Sequence, residues 1–522
     1  MTFNSQEIIK DIRTEFEMML DFVTGEQART ATADHIERGL FKLLLSLGAK
    51  LLTLFFVIRS QSCSREPLPL AADQVLPYHR DTERAYFSIF GKLALWRPYF
   101  YQKGTPGQSP LDAELSLGSD CYSDLLREVS EYLGVYSVYG KTVEILERLL
   151  TLNLSSRVLQ QNIVEDAAGV EAYYAQKPPP APSAEAEILV IQADGKGVPM
   201  VLETPAESKV RLGKGEKRGR KKEAVVTTAY TTAAAPRTPE EVVASFFDQK
   251  EPPKTAASRA KPQNKHIWAT LEGKDTALSR LTQQVAQRQG NHILHRVALC
   301  DGCEALQSRL ASQFPDFTLV LDFIHGSEYL WDVANSWLGE THAQRLEWMA
   351  KQTLQILAGE TAQVIADFRQ MAQEAQTSST QREQLIKTAN YFERNLPYMD
   401  YPTYLAKGWP IASGVIEGAC RHFVKDRCEL SGMRWTQAGA ENLLQLRAVA
   451  ENGDWDAYHT YRKQQRHIRL YGSPFSNQEP TEVQALQGTP SPLTKPVCQV
   501  PSAPQPIIPD NHANYHSLPL AA

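Results

Sequence analysis

The chain has few cysteines, little excess charge and none of the short motifs that mark the commonest enzyme classes. Only 7 cysteines occur in 522 residues, an odd and sparse set that fits a reducing compartment and argues against a disulfide scaffold. The net charge of -5 excludes a uniformly basic coat protein, so any contact with nucleic acid must come from local patches. The N-terminal segment lacks a basic stretch followed by an apolar one, and we therefore expect a cytoplasmic protein.

Motifs of nucleotide hydrolases, dehydrogenases and α/β-hydrolases are also missing. The sequence contains no GxxxxGK[ST] loop, no GxGxxG after an apolar run and no GxSxG elbow, so these three classes lose their best support. One long apolar run covers 40–58, but Lys42 and Lys50 interrupt it. A bilayer span needs about 20 residues with few charges, whereas the leucines here recur at helical spacing. We expect a helix packed on other helices and no membrane partner.

Changes in composition divide the chain into six parts of an α+β multidomain protein. Clustered prolines cannot continue a helix and indicate a linker and a tail. Apolar runs that alternate with helical patterns predict an α/β sheet. The expected order is a mainly helical N-terminal region over 1–175, a proline-rich linker over 176–186, α/β segments over 187–325, a helical segment over 326–395, a last segment over 396–470, and a disordered tail over 471–522.

Residues 141–168 have the layout of a helix-turn-helix. Two amphipathic stretches are joined by TLNLSS, in which Ser155 or Ser156 is a suitable N-cap for the second helix. The second helix carries Arg157 and several amides that suit contacts with phosphates or base edges. Two short helices joined by a turn are also common in any helical domain, so both interpretations stay open here.

Acidic residues follow apolar runs in the second half of the chain. Asp194 ends the run EILVIQAD and Asp301 ends HRVALCD, and each is followed by glycine. Ligands of open α/β sheets bind beyond the carboxyl ends of strands, although an Asp-Gly pair more often makes a simple turn. Glu417 lies among small residues in SGVIEGAC; its alternative role is to stabilise the start of a helix.

Three carboxylates from separate elements are a suitable oxygen cage for Mg²⁺ or Mn²⁺. Asp194, Asp301 and Glu417 are therefore candidate metal ligands and catalytic acids of phosphodiester chemistry. Asp322, in LVLDFIHG, competes with Asp301 for the second position. His325 follows it by three residues and is either part of the site or a hydrogen-bonded core histidine.

Two groups of basic residues are candidates for contact with DNA phosphates. Either group could instead form a solvated surface. The first lies between two predicted strands and the second follows Glu417; with the helix-turn-helix residue they comprise Arg211, Lys214, Lys217, Arg218, Arg220, Lys221, Lys222, Arg157, Arg421, Lys425, Arg427 and Arg434.

Taken together, the motifs resemble those of a known family. ADGKGV, GRKKEAVV, CDG, LDFIHGSEYLW and GVIEGACRHFVKDRCELSGMRWTQAGAENLLQLRA are similar to motifs of the DDE transposases of ISKra-type bacterial insertion sequences, which have Mutator-like relatives. The resemblance implies a ribonuclease-H-like catalytic domain interrupted by an all-helical insertion over 326–395. It also implies that Asp194, Asp301 and Glu417 are the catalytic triad, with Asp322 and His325 as accessory residues.

The resemblance further implies metal-dependent cleavage at the ends of a mobile element, followed by transfer of the freed strand to target DNA. The partners would be the terminal inverted repeats and the target DNA, bound by a homodimer or a larger assembly that associates with the nucleoid. Two alternatives stay open. The chain could be a transposase-derived regulator that binds DNA without catalysis, or a metal-dependent nuclease that never joins strands.

Overall fold

The computed structural model describes residues 4–70, 75–150, 152–201, 221–247, 261–374, 377–430 and 432–472. These residues form an α+β protein with one five-stranded mixed sheet and helices on both sides of it. The coarse α+β prediction is confirmed. The proline-rich tail that we predicted over 471–522 lies outside the described residues, except for the end of the last helix.

A pair of long helices begins the described chain. Helix α1 (Ser5–Thr24) starts at Asn4, whose side chain accepts a hydrogen bond from the Gln6 N–H. Helix α2 (Ala33–Ser62) starts at Thr32 and packs against α1. The prediction that α2 packs on another helix is confirmed, but the burial expected for such a helix is not found, because only 11% of its apolar window is buried. Among the described residues, α2 is the helix long and apolar enough to cross a membrane, judged by length and composition alone.

A β-hairpin follows α2 and packs on it. Its alternating aromatic and aliphatic residues form β3 and β4, paired antiparallel. Phe56 of α2 packs edge-on against Tyr86 of the hairpin, with ring centroids 5.0 Å apart, so the two elements share a small core. The elements of this part are β1 (Leu68–Pro69), β2 (Val75–Leu76), β3 (Tyr78–Ser88), β4 (Gly91–Phe100) and α3 (Pro110–Glu114).

Four short helices connect the hairpin with the central sheet. Ser123 and Ser155 cap the first and third of them by accepting hydrogen bonds from Leu126 N–H and Val158 N–H, which satisfies backbone donors that the helix leaves free. The apolar side chains of this group join those of the sheet and of the C-terminal helices in one core. The helices are α4 (Asp124–Tyr136), α5 (Tyr139–Leu150), α6 (Ser156–Ala167) and α7 (Val170–Gln176).

The central sheet has the strand order β7-β6-β5-β8-β9. Strand β6 pairs antiparallel with both of its neighbours, whereas β5, β8 and β9 are parallel. Four strands therefore run in one direction and β6 runs in the other. The strands are β5 (Ile188–Pro199), β6 (Lys221–Thr232), β7 (Gln263–Thr270), β8 (His295–Cys300) and β9 (Thr318–Leu321).

Helices cover both faces of the sheet because β5 and β8 are apolar on both sides. One face packs on α9 (Lys274–Gln287) and α10 (Glu304–Gln313). The other packs on a helical group that covers the segment predicted over 326–395. That group comprises α8 (Pro239–Phe247), α11 (Phe323–Leu338), α12 (Arg345–Leu357), α13 (Thr361–Gln373), α14 (Ser379–Asn395) and α15 (Tyr401–Ala406).

The last segment returns to the sheet and to the N-terminal helices. Helix α18 buries its side chains against α6 and β7, and α19 reaches back to α4, where Arg466 contacts Asp124. The segment comprises α16 (Gly414–Gly418), a π-helical turn (Ala419–Lys425), α17 (Asp426–Cys428), α18 (Gln437–Glu451) and α19 (Trp455–Tyr471).

Candidate active site

Asp194 lies inside strand β5, so the prediction that it ends a strand is wrong. Parallel pairing of β5 with β8 stops at Gln192, but antiparallel pairing with β6 continues through Asp194 to Pro199. The Asp194 carboxylate accepts hydrogen bonds from the Gly195 N–H at 2.6 Å and from the Cys420 thiol at 3.3 Å. Burial raises the pKa of the Cys420 thiol, which keeps the thiol protonated as a donor.

Asp301 directly follows β8, as predicted. Its carboxylate accepts a hydrogen bond from the Cys303 N–H at 2.9 Å at the start of α10. Helix α14 holds the backbone of this turn, because the Tyr391 hydroxyl donates to the Asp301 carbonyl at 3.0 Å and Arg394 donates to the Gly302 carbonyl at 2.7 Å. Gly302 has a φ of 84°, a conformation that glycine adopts without strain.

Asp322 follows β9 and is the N-cap of α11. Strand β9 ends at Leu321 and a helix begins at Phe323. Asp322 is 0% exposed, and one of its oxygens accepts from the Ile324 N–H at 2.7 Å. The other accepts from the Ser413 N–H at 3.1 Å, from the Ser413 hydroxyl, and from His325 Nδ1 at 3.2 Å.

The three aspartates stand in a row across adjacent strands. Gln192 of β5 is level with Leu299 of β8, and Cys300 of β8 is level with Leu321 of β9. Continuing these registers places Asp194 level with Asp301, and Asp301 level with Asp322. Neighbouring strands lie about 4.8 Å apart, and in a parallel sheet residues at the same level point to the same face. The three aspartates therefore lie side by side where the parallel strands β8 and β9 end, with Asp301 and Asp322 one residue beyond their strands.

Glu417 approaches this row from the helical segment α16. Its Oε1 lies 3.7 Å from His325 Nδ1 and 3.3 Å from the Ser413 hydroxyl. Cys420, one helical turn further along, donates to Asp194 at the other end of the row. The segment that carries Glu417 thus crosses the row and continues directly into a π-helical turn, a distortion that is frequent at functional sites.

The pKa values of His325 and Glu417 are both raised in the site, for different reasons. The hydrogen bond to Asp322 raises the pKa of His325 to about 9, so this ring is protonated at neutral pH. Burial, followed by the nearby Asp322 charge, raises the pKa of Glu417. A protonated imidazole donates from both ring nitrogens, and Nδ1 of His325 lies 3.2 Å from Asp322 and 3.7 Å from Glu417.

Asp322, His325 and Glu417 are the described residues whose ligand atoms lie within 4.8 Å of one another. Within this group Asp322 is fully buried and already accepts four hydrogen bonds, three on one oxygen and one on the other. Asp194 and Asp301 are not in the group, so among the described residues the structure does not bring the ligand atoms of the predicted set, Asp194, Asp301 and Glu417, within 4.8 Å of one another.

The predicted DNA-contacting residues fall into three classes. Arg211, Lys214, Lys217, Arg218 and Arg220 lie outside the described residues. Lys221, Lys222, Arg157, Arg421, Lys425 and Arg434 are exposed or half-exposed, although Lys221 pairs with Glu429 and Lys222 donates to Gln437. The prediction for Arg427 is wrong, because this side chain is 1% exposed and donates to the Gly134 carbonyl.

Helices α5 and α6 form as predicted over 141–168, with Ser155 as the cap. Leu159 and Ile163 of α6 are buried against the core, and Asn162, which was expected on the exposed side, is buried as well. Arg157, Gln160 and Gln161 are exposed. The exposed side of α6 thus keeps one cationic side chain.

Several residues of the site escaped the sequence analysis. Ser413 precedes Glu417 by four residues, a spacing that places both on one face of a helix. The sequence could therefore have predicted the contact between them. Cys420 lies in the same motif, but nothing in the sequence links it to Asp194. Tyr391 and Arg394 belong to an amphipathic helix whose sequence carries no motif that indicates a functional site. Only the tertiary fold brings them to the turn at Asp301.

Comparison with known proteins adds no further assignment. No protein-family model matches this chain, and no curated protein is similar enough in sequence to be a relative. The interpretation of the site therefore depends on its geometry and on the motifs described above.

Proposed function

We propose that this protein is a DDE-type DNA transposase that binds the ends of an insertion sequence and carries out divalent-metal-dependent strand cleavage and strand transfer. The observation that carries the proposal is the row of Asp194, Asp301 and Asp322 on three adjacent strands, with Glu417 held against it. Asp194, Asp301 and Glu417, which are 107 and 116 residues apart in sequence, approach one edge of the sheet. Such convergence is typical of a catalytic site and is not needed for a stable core.

The sheet supports the proposed ribonuclease-H-like interpretation of the catalytic domain. Its order, β7-β6-β5-β8-β9, has the first three strands as an antiparallel meander and the last two added in parallel on the other side. This is the order expected of a ribonuclease-H-like sheet. The helices α11 to α14 then correspond to the proposed helical insertion, because they lie between β9 and the segment with Glu417.

The residues of the site have separable proposed roles. Asp194, Asp301 and Glu417 would hold Mg²⁺ or Mn²⁺, which when bound lowers the pKa of an attacking oxygen and stabilises charge at the phosphate. Asp322 fixes the α16 segment through both donors of Ser413. His325 supplies a positive charge beside Glu417 and Asp322, which offsets the repulsion between neighbouring carboxylates.

The exposed basic residues near α16 support binding of a DNA backbone at this edge. Arg421, Lys425 and Arg434 follow Glu417 and are exposed, so they could contact phosphates next to the acids. Helices α5 and α6, through Arg157, are the proposed site for the terminal repeats. Two DNA ends require at least a homodimer, and a cytoplasmic, nucleoid-associated protein is consistent with this role.

The decisive experiment uses a plasmid that carries the reading frame with its flanking DNA, incubated with the purified protein and Mg²⁺. We expect cleavage at the element ends and joining to a second plasmid by the wild type, and neither product with Asp194→Asn. Cleavage without joined products would support the nuclease alternative. A gel shift without cleavage in Mg²⁺ or Mn²⁺ would support the DNA-binding regulator and leave the acids with a structural role.

A further inference from the structure

A cleft lies between the N-terminal hairpin and the end of the last helix. Its volume is about 440 Å³, within the range of pockets that bind small molecules. The hairpin, helix α3, the segment 118–121 and the end of α19 form its walls. Among the described residues that line it, none belongs to the candidate active site, so the cleft is a separate feature of the fold.

Two arginines of the hairpin place their positive charges in the wall of this cleft. Arg84 of β3 lies two positions from Thr82, the cross-strand partner of Arg97 on β4, so both arginines belong to one face of the hairpin. Their side chains are 13% and 19% exposed. Both guanidinium groups donate to the same oxygen of Asp112, Oδ2. Two cations therefore share one carboxylate oxygen.

The fold uses the two arginines differently. Arg84 also donates to the carbonyls of Gly118 and Asp120, so it holds the segment that forms one wall. Arg97 uses Nη1 for Asp112, whereas its Nε is buried without an acceptor and its Nη2 has none among the described residues. Burial, followed by the nearby charge of Arg84, lowers the pKa of Arg97. An anion in the cleft would satisfy these donors and offset the charge.

Asp112 and the far end of the cleft narrow the class of anion. Asp112 Oδ1 is buried and has no donor among the described residues, although buried polar atoms are normally hydrogen-bonded. A hydroxyl group on the ligand would supply that donor. Leu470 and Tyr471 add an apolar side chain and a ring to the lining. The guanidinium fork matches the oxygens of a phosphate group, which carries a charge of about −1.5 to −2 at neutral pH as a monoester.

We infer that this cleft binds a small phosphate ester that carries hydroxyl groups, such as a sugar phosphate. Arg97 holds the phosphate, Arg84 adds positive charge beside it, and Asp112 accepts a hydrogen bond from a ligand hydroxyl. A DNA duplex fits less well, because its major groove alone is about 12 Å wide, whereas the cleft has the volume of a cube with edges of about 8 Å. The inference does not depend on the proposed catalytic activity.

The test is isothermal titration calorimetry of the full-length protein with ribose 5-phosphate, inorganic phosphate and ribose. We expect the wild type to bind ribose 5-phosphate, to bind inorganic phosphate more weakly and to bind no ribose. Arg97→Gln should weaken the binding of ribose 5-phosphate roughly ten- to 100-fold, since it removes hydrogen bonds from a charged group. Arg80→Gln is the matched control, because Arg80 is an exposed arginine on the same strand as Arg84 and does not line the cleft. It should bind as the wild type does.

Two further measurements make the outcome unambiguous. Circular dichroism checks that Arg97→Gln is folded, and Arg97→Lys, which keeps the charge and loses the fork, should bind ribose 5-phosphate more weakly than the wild type even if the glutamine variant does not fold. Gel shifts with duplex DNA test the competing ligand. A wild type that binds no ribose 5-phosphate, folded Arg97 variants that bind it as tightly as the wild type, or DNA binding that alone depends on Arg97 would each overturn the inference.

Discussion

Replacing Asp322 with asparagine should destabilise the protein in a way that depends on pH. Asp322 is completely buried and raises the pKa of His325 from its ordinary value of 6.5 to about 9. One pKa unit corresponds to about 1.36 kcal/mol, and the charges of Glu328 and Asp301 also raise this pKa. Because the ring is also partly exposed, about 3 kcal/mol is the upper limit of what the pair contributes to the free energy of unfolding when His325 is protonated. Asp322→Asn removes the negative charge that holds this proton.

The sign of the pH dependence follows from the raised pKa. A group whose pKa is higher in the folded state stabilises that state fully below its ordinary pKa of 6.5, and the stabilisation disappears as the pH rises through about 9. The loss caused by Asp322→Asn should therefore be larger at pH 6.5 than at pH 10, by up to about 3 kcal/mol. Asparagine has one acceptor oxygen where aspartate has two, so the variant also loses the acceptor for either the Ile324 N–H or Ser413. That loss is the same at both pH values and cancels in the comparison.

Urea unfolding followed by tryptophan fluorescence measures this difference, since several tryptophans lie on α11 and α12. Asp332→Asn is the matched control on the same helix, because Asp332 is 57% exposed and its nearest cation, Lys387, lies 3.9 Å away. The control should lose less than about 0.5 kcal/mol at either pH. An Asp322→Asn loss that is the same at pH 6.5 and pH 10 would refute the argument that the Asp322–His325 pair stabilises the fold.

Four other variants test the site and its surroundings. Glu417→Gln should abolish DNA cleavage while the free energy of unfolding changes by less than about 1 kcal/mol, and retained cleavage would remove Glu417 from the proposed metal site. Arg427→Ala should lower the free energy of unfolding by about 3 kcal/mol, measured by calorimetry, because its partners are buried. Arg434→Ala should leave the fold stable and weaken DNA binding in a salt-dependent manner, measured by gel shift. Tyr391→Phe removes one hydrogen bond to the Asp301 carbonyl and should speed amide hydrogen exchange in that turn. Unchanged exchange would show that α14 does not hold the backbone of Asp301 in place.

Much of the sheet could be predicted because its strands are short apolar runs that end at turns. The runs before Asp301 and Asp322 became β8 and β9, since strands buried on both faces are apolar throughout. Strand β7 escaped detection because it begins with the polar residues QNKH and only its second half is buried. The continuation of β5 past Asp194 also escaped, because Asp-Gly is a frequent turn dipeptide and only pairing with β6 makes it strand.

Charge and apolarity alone did not decide which side chains are buried. Arg427 belongs to a basic cluster in the sequence, yet its guanidinium lies between the rings of Tyr139 and Trp435. In helix α2 the error runs the other way: the apolar leucines predicted a buried helix, but Leu44 and Leu51 are exposed. Periodicity identifies an apolar face but does not identify the element that covers it, and that information exists only in the tertiary fold.

The shared core of α6, α7 and the C-terminal helices has a consequence for synthesis on the ribosome. Tyr174 of α7 donates to Asp454, a partner 280 positions later in the chain. At a translation rate of about 5–20 residues per second, the apolar sides of α6 and α7 therefore lack their C-terminal packing partners for roughly 15 to 60 s. During that interval the nascent chain presents an unfinished surface that chaperones can bind. A transcript truncated before α18 should yield a product that is cleared by proteolysis.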